Sequence, residues 1–158
     1  MVQTHLDYDR SLLGKDLPAG NFDVTKESIS AYCMSVGETN PLFTDEKAAR
    51  GAGHRALLAP PMMCNVFIRG FNRPDVKLQG ARMRMHGGQT VESLETICAG
   101  DKLTAVTRLK DVYAKTGRTG TMAFIVWETE FTNQLGQRVA LGRESFMARL
   151  QDQAPTGA

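Results

Sequence analysis

The chain has 158 residues, a length typical of one globular domain, and its 19 basic and 17 acidic residues leave a net charge of +2. That balance argues against a dedicated nucleic-acid-binding protein, which carries clustered basic residues. A hydrophobic content of 42% with 23% charged residues is typical of a globular protein. The sequence shows neither a run of about 20 apolar residues nor an export signal, so we expect a cytoplasmic protein without membrane insertion.

The first part of the sequence predicts one strand followed by short helices. Residues 20–24 favour a strand. Thr25 can cap a helix whose apolar residues recur at helical spacing, and Gly37 ends it. Thr44 begins a second, short helix that reaches Arg50.

The segment that follows predicts a third helix at about 60–72. Pro60 and Pro61 suit the first helical turn. The apolar residues after them would surround most of the helix, and they are Met62, Met63, Val66, Phe67, Ile68 and Phe71. A helix that is apolar on nearly all sides is buried. We therefore expect this helix at the centre of the fold.

After a polar loop at 72–80, the apolar residues alternate with a period of two, as in half-buried strands. The predicted strands cover 89–97, 102–115, 120–132 and 138–150. The breaks between them are short enough for hairpin turns, at 99–101, 116–120 and 133–136. The pattern therefore predicts an α+β fold with an antiparallel sheet, in one domain at 1–150 with a flexible tail at 151–158.

Three cysteines, Cys33, Cys64 and Cys98, are far apart and lie among apolar or small residues. An odd number without metal-binding spacing argues against a disulfide framework or a metal site. We expect small buried hydrophobic side chains and no bound metal.

Residues 35–63, SVGETNPLFTDEKAARGAGHRALLAPPMM, resemble the active-site region of MaoC-like, (R)-specific enoyl-CoA hydratases and dehydratases. That family has Gly-Asp-x-Asn-Pro-x-His-x-Asp and later Ala-His-Gly-Met. The matching residues here are Gly37, Asn40, Pro41, Asp45 and Ala59. Residues 100–103, Gly-Asp-Lys-Leu, resemble a later family motif. The resemblance implies the hot-dog fold, in which the sheet wraps around the central helix, with an acyl-CoA substrate and no further cofactor.

The resemblance fails at the residues that carry the family's chemistry. Glu38, Phe43 and Pro61 stand where the family has its Asp, its His and the Gly whose N–H binds the thioester oxygen. Phe43 cannot transfer a proton, and Pro61 has no N–H. Losing a general acid or base lowers the rate by about 10²–10⁴, and losing one oxyanion donor lowers it by about 10²–10³.

These departures, together with a predicted loop at 86–89, resemble the degenerate amino-terminal halves of two-part MaoC-like enzymes. The resemblance implies a subunit that lines the acyl tunnel. Its partner would be a second hot-dog chain with an intact Asp/His motif, or a second copy of this chain.

Candidate site residues follow from the resemblance. Substrate contacts are expected at Asn40, Phe43, Met62, Met63, His86 and Gly87, with Met85 as a further apolar candidate. CoA phosphates could contact Arg50, His54 and Arg55, which are otherwise plain surface residues. His5 is expected to be solvated. His86 is either a loop histidine bonded to a carbonyl or, with Glu38, a replacement catalytic dyad.

Three functions remain open. The first is a subunit of a heteromeric enoyl-CoA hydratase that depends on its partner. The second is a self-sufficient homodimeric hydratase, or a hot-dog thioesterase, that uses Glu38 and His86. The third is a non-enzymatic acyl-CoA-binding module. The sequence does not distinguish a fatty acyl group from a steroid acyl group.

Overall fold

The computed structural model describes residues 5–118 and 120–151, apart from the side chain of Met83. The predicted flexible tail lies, except for Gln151, outside these residues. The helices are α1 (Lys26–Val36), α2 (Pro41–Thr44), α3 (Glu46–Gly51) and α4 (Cys64–Phe67), with 3₁₀ turns at Arg10–Leu12 and Pro61–Met63. The strands are β1 (Leu17–Asp23), β2 (Ala81–Ser93), β3 (Lys102–Gly117), β4 (Gly120–Thr132) and β5 (Arg138–Leu150). No helix within the described ranges is long and apolar enough to cross a membrane.

The five strands form one antiparallel sheet in the order β1-β3-β4-β5-β2. The hairpins that join β3 to β4 and β4 to β5 confirm two of the predicted turns. The predicted hairpin turn at 99–101 is wrong, because β2 pairs with β5 rather than with β3. The chain between β2 and β3 instead bonds to the segment before the central helix, where Ala59 N–H donates to the Ile97 carbonyl.

Strand β2 begins eight residues before the predicted start at 89 and ends at Ser93, four residues before the predicted end. The predicted loop at 86–89 is therefore part of a strand. Nearly every described side chain of β2 is exposed, because the strand lies at the edge of the sheet. Apolar alternation does not mark such a strand. Residues 82–84 and 86–88 each contain one extra residue relative to β5, which produces two bulges.

The first helix has the predicted limits. The Thr25 hydroxyl accepts from Ser28 N–H, and the Ser28 hydroxyl accepts from Thr25 N–H, which forms a capping box. Gly37 ends α1 in the left-handed conformation (φ 69°). The second predicted helix corresponds to α3, which begins at Glu46 rather than at Thr44, because Asp45 has an extended backbone and its carboxylate caps α3 by accepting from Lys47 N–H. Thr44 instead ends α2, a separate short helix that the sequence did not predict.

The central helical segment lies where it is predicted, but its regular helix ends at Phe67. A 3₁₀ turn begins at Pro61, which has no N–H to donate. The segment packs against the sheet through Met63, Cys64 and Ile68, which are buried. The expectation of burial on all sides is wrong for Met62 and Val66, whose exposed fractions are 40% and 47%.

Two apolar clusters fill the interior. The larger lies between α1, the central segment and the sheet, and it includes Ile29, Leu103 and Phe131. The smaller lies beneath the loop before β2, and it includes Val76 and Trp127. All three cysteines are buried free thiols, as predicted. Burial raises the pKa of Cys64 to about 12.

Candidate functional site

A cavity of about 610 Å³, the main cavity, opens between the exposed side of the central segment and strands β2 and β5. Its walls include Tyr32, Met62, Asn65, Arg73, His86 and Glu144. Two of these, Met62 and His86, are predicted substrate contacts. The cavity lies where the central helix does not pack against its own sheet.

Five charged or titratable side chains line this cavity, namely Tyr32, Arg69, Arg73, His86 and Glu144, and the last three lie next to one another. Arg73, from the loop before β2, forms an ion pair with Glu144 of β5, and each side chain is only 15% exposed. His86 Nε2 lies 3.7 Å from Glu144 Oε1. Burial lowers the pKa of Arg73, and the neighbouring Glu144 carboxylate opposes that change. The arrangement places a carboxylate beside a guanidinium and an imidazole in a cavity lined mostly by polar residues.

Three buried polar atoms of residues that line this cavity have no hydrogen-bond partner among the described residues. They are both side-chain amide atoms of Asn65, Oδ1 and Nδ2, and Nε of Arg73. Other buried side-chain nitrogen and oxygen atoms of the described residues have partners. Asn65 interrupts the apolar run of the central segment, which places an amide beside the cavity.

A second cavity of about 370 Å³ adjoins the first, since both are lined by Arg73, His86 and Phe146. Its other walls are mainly apolar, and they include Val76, Ile125 and Trp127. A polar space therefore leads into an apolar one. An amphipathic ligand with a polar head and an alkyl tail would match this order.

Glu38 lines neither of these cavities. Its Oε1 accepts hydrogen bonds from the N–H groups of Thr39, at 2.9 Å, and Asn40, at 2.8 Å. The carboxylate beside His86 is Glu144, so the structure does not assemble the predicted Glu38–His86 dyad. The loop environment predicted for His86 is also wrong, since His86 lies within β2.

The other predicted substrate contacts are dispersed. The Asn40 side chain caps α2 by accepting from Leu42 N–H, and Met63 belongs to the core. Phe43 lines a separate cavity of about 150 Å³ beside Pro61. Gly87 is the extra residue of the second bulge in β2. Met85 is exposed on the same strand, at 46%.

Two of the three predicted phosphate contacts already form ion pairs. Arg50 pairs with Glu46 on α3, and Arg55 pairs with Asp101. His54 is half-buried, and its backbone N–H donates to the Ala49 carbonyl. His5 is exposed, as predicted.

The Asp101 carboxylate holds three segments together. It is fully buried, and it accepts hydrogen bonds from Cys98 N–H at 2.8 Å, from Gln134 Nε2 at 2.9 Å and from the Arg55 guanidinium. The family-like Gly-Asp motif at this position therefore has a structural function in this chain.

Sequence reasoning did not identify Tyr32, Asn65, Arg73 or Glu144 as site residues. Asn65 gave a usable signal, because it is polar within an otherwise apolar segment. Arg73 and Glu144 gave none, since 71 positions separate them and only the fold brings them together. No three His, Cys, Asp or Glu side chains in the described part of the chain are grouped to hold a metal ion.

Residues 11–141 match the family described as the FAS1-like, dehydratase domain region. A UPF0336 protein of Parafrankia sp. (strain EAN1pec) is 32% identical over 133 residues, which cover 81% of this chain and 85% of that protein. The ChsH1-ChsH2 complex from Mycobacterium tuberculosis contains a similar chain, with a TM-score of 0.72, 23% identity, and coverage of 90% of this chain and 86% of that chain. The HadBC (3R-hydroxyacyl-ACP dehydratase) complex from the same organism also contains a similar chain, with a TM-score of 0.67 and 23% identity. The match covers 86% of this chain and 96% of that chain. The chain thus belongs to the FAS1-like dehydratase-region family and has the MaoC-like hot-dog fold.

Proposed function

We propose that this chain is a subunit of a MaoC-like enoyl-CoA hydratase, which lines the acyl-binding cavity while a second hot-dog chain supplies the Asp/His dyad. In the reaction, a water molecule gives one proton to a base of the dyad while its oxygen bonds to C3 of the enoyl thioester, the C2=C3 π bond breaks, and a proton is added at C2. The reverse direction is a dehydration. The observation that carries the proposal is the state of Glu38, whose carboxylate is bound to backbone N–H groups and lies outside the main cavity.

The two adjoining cavities support the binding half of the proposal. The space with Arg73, Glu144 and His86 suits the polar end of an acyl thioester, and the apolar space beyond it suits an alkyl group. Phe43 and Pro61 lie together at a different cavity and offer neither a transferable proton nor an N–H.

The exposed edge of the sheet supports the assembly half. Strand β2 is 13 residues long and has a neighbour on one side only. An open edge of this length is normally covered by another strand. Similar chains occur in the ChsH1-ChsH2 and HadBC complexes, which are assemblies of two different subunits by name. We therefore propose that a second hot-dog chain, rather than a membrane or nucleic acid, covers this edge.

The test is a reconstituted complex assayed for hydration of crotonyl-CoA. Candidate partners are co-expressed hot-dog chains with an intact Gly-Asp-x-Asn-Pro-x-His motif. Glu38→Ala should leave the activity within a few-fold of wild type, because its carboxylate only stabilises a turn. Replacing the partner's motif Asp or His should abolish the activity. A collapse of kcat in Glu38→Ala, with fold and assembly unchanged, would place the chemistry in this chain instead.

One observation favours a self-sufficient homodimer as the second candidate. His86 and Glu144 lie 3.7 Å apart inside the main cavity, which is close enough for a histidine and a carboxylate to cooperate. Hydration or thioester cleavage by the purified chain alone, lost in His86→Ala, would support this candidate. Tight acyl-CoA binding with neither turnover nor a partner would instead support a binding module.

A further inference from the structure

Side chains of the main cavity form a closed ring at its boundary with the second cavity. Arg73 is ion-paired with Glu144, and its guanidinium carbon lies 5.6 Å from the centre of the Phe146 ring. That ring meets the imidazole of His86 edge to face, with 5.4 Å between their centres. His86 Nε2 in turn lies 3.7 Å from Glu144 Oε1. The ring therefore closes on itself, and all of its members except Glu144 line both cavities.

Arg73 is held in this ring from several sides. Its guanidinium carbon also lies 5.9 Å from the centre of the Phe71 ring, within the range of cation–π contacts. Arg73 and Glu144 are both largely buried. Parting them would leave a largely buried charge without its counter-charge, which is costly. The ring therefore resists displacement by a ligand.

The second cavity has room for part of an alkyl chain. Its volume is about 370 Å³, whereas an apolar cavity of about 150 Å³ already binds benzene. Its walls include the almost fully buried side chains of Ile125 and Trp127. Each methylene buried there would tighten binding by about fourfold. An alkyl chain that starts in the main cavity gains this affinity only when the ring opens.

We infer that Arg73 is a specificity-determining residue, whose ion pair with Glu144 limits the bound acyl group to a short chain that ends in the main cavity. This inference rests on the proposed function and adds a preference of chain length to it. A short acyl group leaves the ring closed. A longer one must part Arg73 from Glu144 or leave its end in water, so its further methylenes add little affinity.

The test is isothermal titration calorimetry on the full chain, in the oligomeric form in which it is purified. The ligands are butyryl-CoA and decanoyl-CoA, which are saturated and so are not hydrated during the titration. In the wild type, decanoyl-CoA should bind no more than about fourfold more tightly than butyryl-CoA, the gain from one buried methylene. In Arg73→Ala/Glu144→Gln, which removes the barrier and both charges, the ratio should rise to about 15-fold or more, the gain from two.

Asp75→Asn is the matched control. Asp75 lies in the same loop as Arg73 and forms that loop's ion pair with Arg84 of β2, but its own side chain lines neither cavity. This variant should keep the wild-type ratio. A ratio that rises equally in Asp75→Asn would show that loosening the loop is enough, which would overturn the role of Arg73.

The outcomes separate the inference from the proposed function. If the wild type already prefers decanoyl-CoA by about 15-fold or more, or the double variant keeps the wild-type ratio, the inference fails while binding of butyryl-CoA still supports the proposed function. If neither thioester binds, both fail. Thermal unfolding checks that the double variant is folded. Phe146→Ala opens the ring from the opposite side without breaking the ion pair, and it should raise the ratio as well; an unchanged ratio there would also contradict the inference.

Discussion

Replacing Asp101 with alanine should lower the free energy of unfolding by about 3–4 kcal/mol. The carboxylate is fully buried and accepts from Cys98 N–H, Gln134 Nε2 and the Arg55 guanidinium. Without it, the Cys98 N–H is buried and unpaired, which costs about 1–3 kcal/mol. Losing the hydrogen bond from Gln134 and the half-exposed ion pair with Arg55 adds about 1 kcal/mol for each.

The measurement is urea unfolding followed by the fluorescence of Trp127. It is the single tryptophan of the chain, and its exposed fraction is 3%, so its emission should change on unfolding. For a domain of this size, a loss of 3–4 kcal/mol should lower Tm by roughly 10 °C.

One comparison makes the Asp101 prediction refutable. Asp111→Ala removes an exposed carboxylate from β3 and should change the free energy of unfolding by less than about 0.5 kcal/mol. If Asp101→Ala costs no more than Asp111→Ala, the buried hydrogen bonds are not what stabilises this region, and the reasoning is wrong.

Three further predictions concern titration, thiol reactivity and strand packing. Burial alone would raise the pKa of Glu128, but the hydrogen bond from Arg143 and the nearby positive charges lower it below its ordinary value of 4.5. The ionised carboxylate therefore stabilises the folded state fully above the ordinary pKa of 4.5. We expect the difference in unfolding free energy between wild type and Glu128→Gln to shrink as the pH falls through the lowered pKa of the folded state. Because burial raises the pKa of Cys64 to about 12, its thiol should resist maleimide at pH 7.5 in the native protein and react in urea, which mass spectrometry can follow. Gly87→Ala should destabilise the fold by about 1–3 kcal/mol, since its Cβ would lie 3.1 Å from a β5 carbonyl oxygen, whereas Gly70→Ala has open space and should be neutral or slightly stabilising by urea unfolding.

The sequence predicted the elements whose signals are local. The capped helix from Thr25 to Gly37 and strands β3 to β5 follow from side-chain oxygens, a left-handed glycine and period-two burial, which need no knowledge of distant residues. The predicted start of strand β2 lies too far along the chain, because an exposed edge strand has no apolar face to produce alternation. The residues 99–101 were mistaken for a hairpin, since a short polar break does not show which strands it joins.

The site could be predicted only where a single residue carried the signal. That Phe43 cannot transfer a proton and that Pro61 has no N–H follow from the residue types themselves. The cluster of Arg73, His86 and Glu144 depends on the pairing of β2 with β5 and on the path of the loop before β2. Neither is encoded in local spacing.

The two bulges of β2 restrict which backbones can pair with the free edge of the sheet. Each bulge twists the strand and interrupts the regular spacing of its N–H and C=O groups. A chain that adds to this edge must match that spacing with its own backbone, whatever side chains it carries. Most substitutions on an exposed strand leave the backbone path intact. Under the proposed assembly, side chains on β2 can therefore change without loss of the pairing, whereas a one-residue insertion in β2 would shift the spacing and prevent it.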